Sequence, residues 1–124
     1  MPDTPLSPGP NPTSRDPEAG VDATLGGYVS LHHRPPAFQG SDRHPYTVSL
    51  EVEKTANLLA PYSGYLVFPR WAENGVGILG HLETPILLEE SSREGAEESL
   101  GSLTLLQVQR LLEEAIQRHH REKN

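Results

Sequence analysis

Four side chains of this sequence have the chemistry of a small binding patch. Arg70 is a cation for an anionic group, His81 an imidazole that donates or accepts, Glu83 a carboxylate and Phe68 an aromatic floor, with Leu66 beside it. Their spacing brings them together in a hairpin. Two apolar runs, 62–72 and 76–83, flank Glu73-Asn74-Gly75, and Asn-Gly is the pair that a two-residue turn with positive φ prefers. With Asn74 and Gly75 as the turn, Trp71 faces Ile78, Arg70 faces Leu79, Phe68 faces His81 and Val67 faces Leu82. That register predicts an apolar face of Tyr65, Val67, Trp71, Ile78 and Leu82. The mixed face is then Leu66, Phe68, Arg70, Leu79, His81 and Glu83. Pro69 marks an edge or a bulge.

A second polar group lies in the connection 33–45, where Arg34, Arg43 and His44 could meet an anionic ligand or a partner. Pro35-Pro36 holds that loop extended, and Phe38 is an apolar anchor expected to tuck against the sheet. The six histidines have poor chelating geometry. His32 and His33 are neighbours, which point to opposite faces of a strand, and His119 and His120 stand about 100° apart on a helix. No HExxH motif is present, and neither a metal nor a cofactor is expected. Catalytic signatures are also missing: there is no Gly-x-Ser-x-Gly elbow and no P-loop. Gly75-Val76-Gly77-Ile78-Leu79-Gly80 has the spacing of a dinucleotide fingerprint but lies inside the hairpin. Glu89-Glu90 and Glu97-Glu98 suit helix starts through the dipole, so no catalytic residue is assigned.

These side chains need elements to carry them. Residues 24–32 alternate, with Leu25, Val29 and Leu31 on one parity, and predict a strand with Gly26-Gly27 as a bulge. In 46–53, Tyr46, Val48, Leu50 and Val52 alternate strictly with polar residues, the pattern of a half-buried strand. Beyond Pro85 the period changes. Ser91 and Glu94 form a capping box for a helix over 92–100 that stops at Gly101. Thr104 and Gln107 repeat the signature before Leu105, Val108, Leu111, Leu112, Ala115 and Ile116, which predict a one-sided helix over 105–119. The expected fold is a two-layer α+β domain over 24–124: a four-stranded, mostly antiparallel meander packed against C-terminal helices. Six of the 12 prolines fall in the first 17 residues, and 1–23 is expected to be a disordered Pro-rich tail.

Composition narrows the function. The chain has 124 residues, 17 acidic against 10 basic, a net charge of −7 and no cysteine. One domain fits that length. The missing cysteines exclude a thiol nucleophile and a disulfide scaffold and suit a reducing compartment. The acidic balance disfavours nucleic acid, even through Arg34, Arg43 and Arg70. Neither a secretory leader nor a membrane-length apolar stretch is legible, so the expected location is cytoplasmic. The first expectation is a non-enzymatic binding or regulatory protein that contacts a protein partner through its sheet face or the 33–45 loop, or associates with itself through strand edges. The alternative is a small-molecule or metal-binding enzyme using Arg70, His81 and Glu83, with His32 or His44.

Overall fold

A computed structural model describes residues 23–123. The tail expected over 1–23 therefore lies, except for Ala23, outside the described residues. The elements in chain order are α1 (Leu25–His32), β1 (Ala37–Gln39), β2 (Pro45–Thr47), β3 (Ser49–Lys54), β4 (Tyr62–Trp71), β5 (Ile78–Glu83), β6 (Leu88–Glu90), α2 (Arg93–Gly101) and α3 (Leu105–Lys123). All strand pairs are antiparallel. β4 is central: β2 and β3 follow one of its edges, β5 and β6 the other, and β1 lies outside β2. Six short strands thus run along four lines, as in an α+β meander.

The helices cover one face of this sheet. Tyr46, Leu66, Phe68 and Leu82 point into the core and meet Leu100 of α2 with Val108, Leu112 and Ile116 of α3. Burying that apolar face is the main stabilising contribution. Thr104 and Gln107 cap α3 reciprocally: Gln107 N donates to Thr104 Oγ1 at 3.1 Å, and Thr104 N donates to Gln107 Oε1 at 2.8 Å. α2 takes Ser92, not Ser91, as its N-cap. Among the described residues, no helix is long and apolar enough to cross a membrane.

The segment 24–32 is helix α1, not the expected strand. Leu25 and Val29 fit an i,i+4 helical spacing as well as an alternation, and long-range contacts decide between the two. Thr24 Oγ1 accepts from Gly27 N, Leu25 N donates to Leu103 O at 2.8 Å, and the Leu25 side chain enters the core. His33, at φ 57°, ends the helix by donating its N–H to Val29 O. The outermost strand is instead β1, drawn from the expected 33–45 loop, with Phe38 packed on the core.

Two strand expectations also change in detail. The run 46–53 divides at Val48 into β2 and β3. By register Pro69, which has no N–H to give, faces Thr47, the last residue of β2 before that break. In the hairpin Trp71 does pair with Ile78, but the register then shifts: Arg70 pairs with Gly80, Pro69 with His81, Phe68 with Leu82 and Val67 with Glu83. Leu79 is the extra residue of a bulge. Ala72 N donates to Gly77 O across a longer loop, with Gly75 and Gly77 at φ 78° and 87°. Those two positions require glycine's tolerance of positive φ.

Candidate partner-binding surface

The bulge at Leu79 decides on which face of the sheet the expected β5 residues, His81 and Glu83, lie. Beyond it every β5 side chain changes face relative to the unbulged register. Leu82 turns inward against Phe68, and both are buried. Phe68 is a core residue and offers no ring to a ligand. Leu66 is likewise fully buried. Arg70 shares their inward parity, while His81 and Glu83 point to the other side. The expected Arg70–His81–Glu83 patch is therefore divided between two faces of the sheet.

Arg70 belongs to a polar cluster at the end of the β1–β2 hairpin. Its guanidinium lies 3.9 Å from Asp42 Oδ2, the same oxygen that accepts from the Tyr46 hydroxyl at 2.6 Å. His44 joins it: its backbone N–H donates to Asp42 Oδ1 at 3.1 Å, and its Nδ1 stands 3.8 Å from Oδ2. Burial first, and then the Asp42 carboxylate, push the Tyr46 phenol well above its ordinary range. Two expected site residues thus meet on a third that the sequence reading passed over. The cluster pins a hairpin, and a buried tyrosine hydroxyl needs such a partner.

The outer face of the sheet, which no described helix covers, presents β4's other parity: Tyr65, Val67, Pro69 and Trp71, with Ile78 paired to Trp71. Trp71 is held in place by its Nε1–H, which donates to Thr47 Oγ1 at 3.1 Å. Beside this stripe stand carboxylates. Glu51 pairs with Tyr65, and Glu83 with Val67. Glu53 accepts from the Tyr65 hydroxyl at 3.4 Å. Partial desolvation, together with Glu53, Glu83 and Glu51, raises the Tyr65 phenol above its ordinary value. The stripe and its acidic border are the features of a contact surface with aromatic anchors.

His81 and Glu83 form an exposed pair, Nε2 to Oε2 at 3.3 Å. They sit at the edge of this face and border a polar groove of about 440 Å³ whose other wall is α3, with Arg118, His119 and Glu122. Arg118 donates to the Glu83 carbonyl at 3.1 Å. The i,i+1,i+4 spacing of those three residues was legible in the sequence, but their meeting with β5 was not. Arg34 lies elsewhere, exposed, its guanidinium 5.6 Å from the centre of the Tyr28 ring. Among the described residues, no group of three or more His, Asp or Glu is placed to hold a metal ion. Comparison with family models, with curated proteins and with solved structures finds no match for this chain.

Proposed function

We propose that the chain is a non-enzymatic binding module that docks a protein partner on its outer sheet face. One observation carries this reading: the helices pack on a single face, and the opposite face keeps an aromatic and aliphatic stripe, Tyr65, Val67, Trp71 and Ile78, bordered by Glu51, Glu53 and Glu83. Apolar surface of that kind, rimmed by charge, marks association sites. The 33–45 connection contributes less, since β1 and β2 have absorbed it and His44 is engaged with Asp42. A cysteine-free, acidic chain suits a protein partner in a cytoplasm better than a nucleic acid.

The test is site-specific photo-crosslinking in the cell of origin. A photoreactive phenylalanine analogue at Val67 is expected to give discrete heavier adducts that the same group at Glu114, exposed on α3, does not give. Identical adduct patterns from the two positions, or none from Val67, overturn the reading.

A further inference from the structure

We infer that the open edge of β3 accepts an extended peptide segment as an added strand, one that alternates basic with aliphatic side chains. This surface is the sheet's edge rather than its outer face, and the inference goes beyond the docking proposed above.

The edge is open because of two prolines. β1 pairs with β2 only from Ala37, opposite Thr47. Carried backward, the same ladder would set Pro36 beside Val48 and Pro35 beside Ser49, and neither proline has an N–H to give. The chain leaves the sheet there for α1, so among the described residues nothing pairs with β3 on its outer side.

The register identifies which backbone groups are left. Thr84 N and Leu87 N donate to the carbonyls of Leu66 and Gly64, so β4's even residues face β5 and β6 and its odd residues face β3. Their partners Ser49, Glu51 and Glu53 are thereby bonded inward, and the N–H and C=O groups of Leu50 and Val52 point to the open edge. Arg93 supports this assignment: it reaches the Val52 carbonyl at 3.2 Å from outside the ladder. The Leu50 N–H and C=O and the Val52 N–H are the template for strand addition, and an added strand takes the Val52 carbonyl over from Arg93.

Side-chain chemistry selects the occupant. Beside the edge a groove of about 960 Å³ opens between α1 and α2, its floor formed by Leu25, Val29, Val48 and Leu50. In an added strand, the residue opposite Leu50 would face this floor and the residue opposite Val52 would lie on the same inward side of the sheet, and aliphatic side chains suit both. Those opposite Glu51 and Glu53 would face outward beside two carboxylates, each held by a hydroxyl, Ser49 on Glu51 at 2.6 Å and Tyr65 on Glu53. Cross-strand pairs of opposite charge are favourable and like pairs are not. A second copy pairing β3 to β3 about Val52 would set Glu51 opposite Glu53, so in that register like charges oppose each other, whereas a basic strand meets both carboxylates favourably.

The test uses the full chain labelled with ¹⁵N and, as probe, an acetylated and amidated octapeptide alternating Lys and Val. Binding is expected to shift the Leu50 and Val52 amide signals and to slow their exchange with deuterium at least tenfold. The double variant Glu51→Lys, Glu53→Lys should weaken the peptide at least tenfold. Of two peptides N-methylated at all valines or at all lysines, at least one should lose tenfold, since one of those sets faces the edge in either strand direction. Equal binding by both methylated peptides, or by the double variant, overturns strand addition. So does the absence of binding at millimolar peptide. Shifts confined to Tyr65 and Trp71 overturn it while leaving outer-face docking standing. Protection of Leu50 and Val52 that rises with chain concentration alone overturns it in favour of a second copy.

Discussion

Gly26 of α1 rests on the backbone of Gly101 in α2: a Cβ at residue 26 would lie 3.1 Å from the Gly101 carbonyl oxygen and 3.3 Å from its Cα. Those atoms belong to a packed helix and cannot swing aside. Alanine favours a helix over glycine by about 0.5–1 kcal/mol, and overpacking costs about 1–3 kcal/mol. Gly26→Ala is therefore expected to lower the urea-unfolding free energy by about 1 kcal/mol. Gly101→Ala, whose Cβ would meet Gly26 only at 3.4 Å, should be neutral or slightly stabilising. A more stable Gly26→Ala would mean that α1 is free to move away from α2.

The Tyr46 ring is fully buried and its hydroxyl donates to Asp42 at 2.6 Å. Burial, then the carboxylate, raise this phenol above its ordinary value of 10.0, with Arg70 partly opposing. The folded chain therefore keeps a proton that the unfolded chain loses near pH 10. The stability tied to that proton is complete below pH 10 and declines as pH rises further, by up to about 1.4 kcal/mol per pH unit. Tyr46→Phe should be about 2 kcal/mol less stable at pH 7, having lost a buried hydrogen bond to a carboxylate. Its decline from pH 10 to 11.5 should be shallower than that of the parent chain. Parallel declines in urea titrations would show that another group titrates there.

What could be read from the sequence depended on how local its cause was. The capping pair Thr104 and Gln107 and the apolar spacing from Leu105 to Ile116 are local, and α3 forms where they indicate. The alternation of Tyr46, Val48, Leu50 and Val52 identified the buried parity of β2 and β3. Leu25, Val29 and Leu31 satisfied both an alternation and, in part, a helical spacing. The choice rested on Leu103 and Gly101, more than seventy residues away. The candidate patch came apart for two reasons: the parity of β4 that carries Leu66, Phe68 and Arg70 is the one packed on the helices, and β5 holds an extra residue, Leu79. β4 is apolar on both parities, so its pattern could not reveal the extra Leu79 that sends His81 away from Arg70.

Deleting Leu79 tests that explanation. Without it Ile78 and Gly80 become neighbours opposite Trp71 and Arg70, and alternation places Ile78 and His81 outward and Leu82 inward, as they already stand. The loop from Ala72 to Gly77 is untouched, and Leu79 is a largely exposed side chain with little burial to lose. The deletion should therefore fold with a stability within about 1 kcal/mol of the parent chain, the range of a surface change. The His81 and Glu83 signals should remain close in space by NMR. Unfolding, or Leu82 turned out to solvent, would mean that the bulge itself holds the sheet together.

Thr84 joins β5 to β6 along β4's edge, and its side chain takes part in that pairing. Its Oγ1 accepts from the Leu66 N–H at 3.0 Å and donates to the Pro85 carbonyl at 2.8 Å, while its own N–H donates to Leu66 O. The residue is buried, as is Leu66. Thr84→Val keeps the branched shape but leaves the Leu66 N–H without an acceptor in a water-excluded place. Such an orphaned donor costs about 1–3 kcal/mol. The variant should therefore unfold at lower urea, with an unchanged denaturant slope, since the same surface is buried. Thr84→Ser, which keeps the oxygen and loses one methyl, should lose about 1 kcal/mol or less. If Ser proved as damaging as Val, the methyl's packing rather than the hydroxyl would be what Thr84 contributes at this junction.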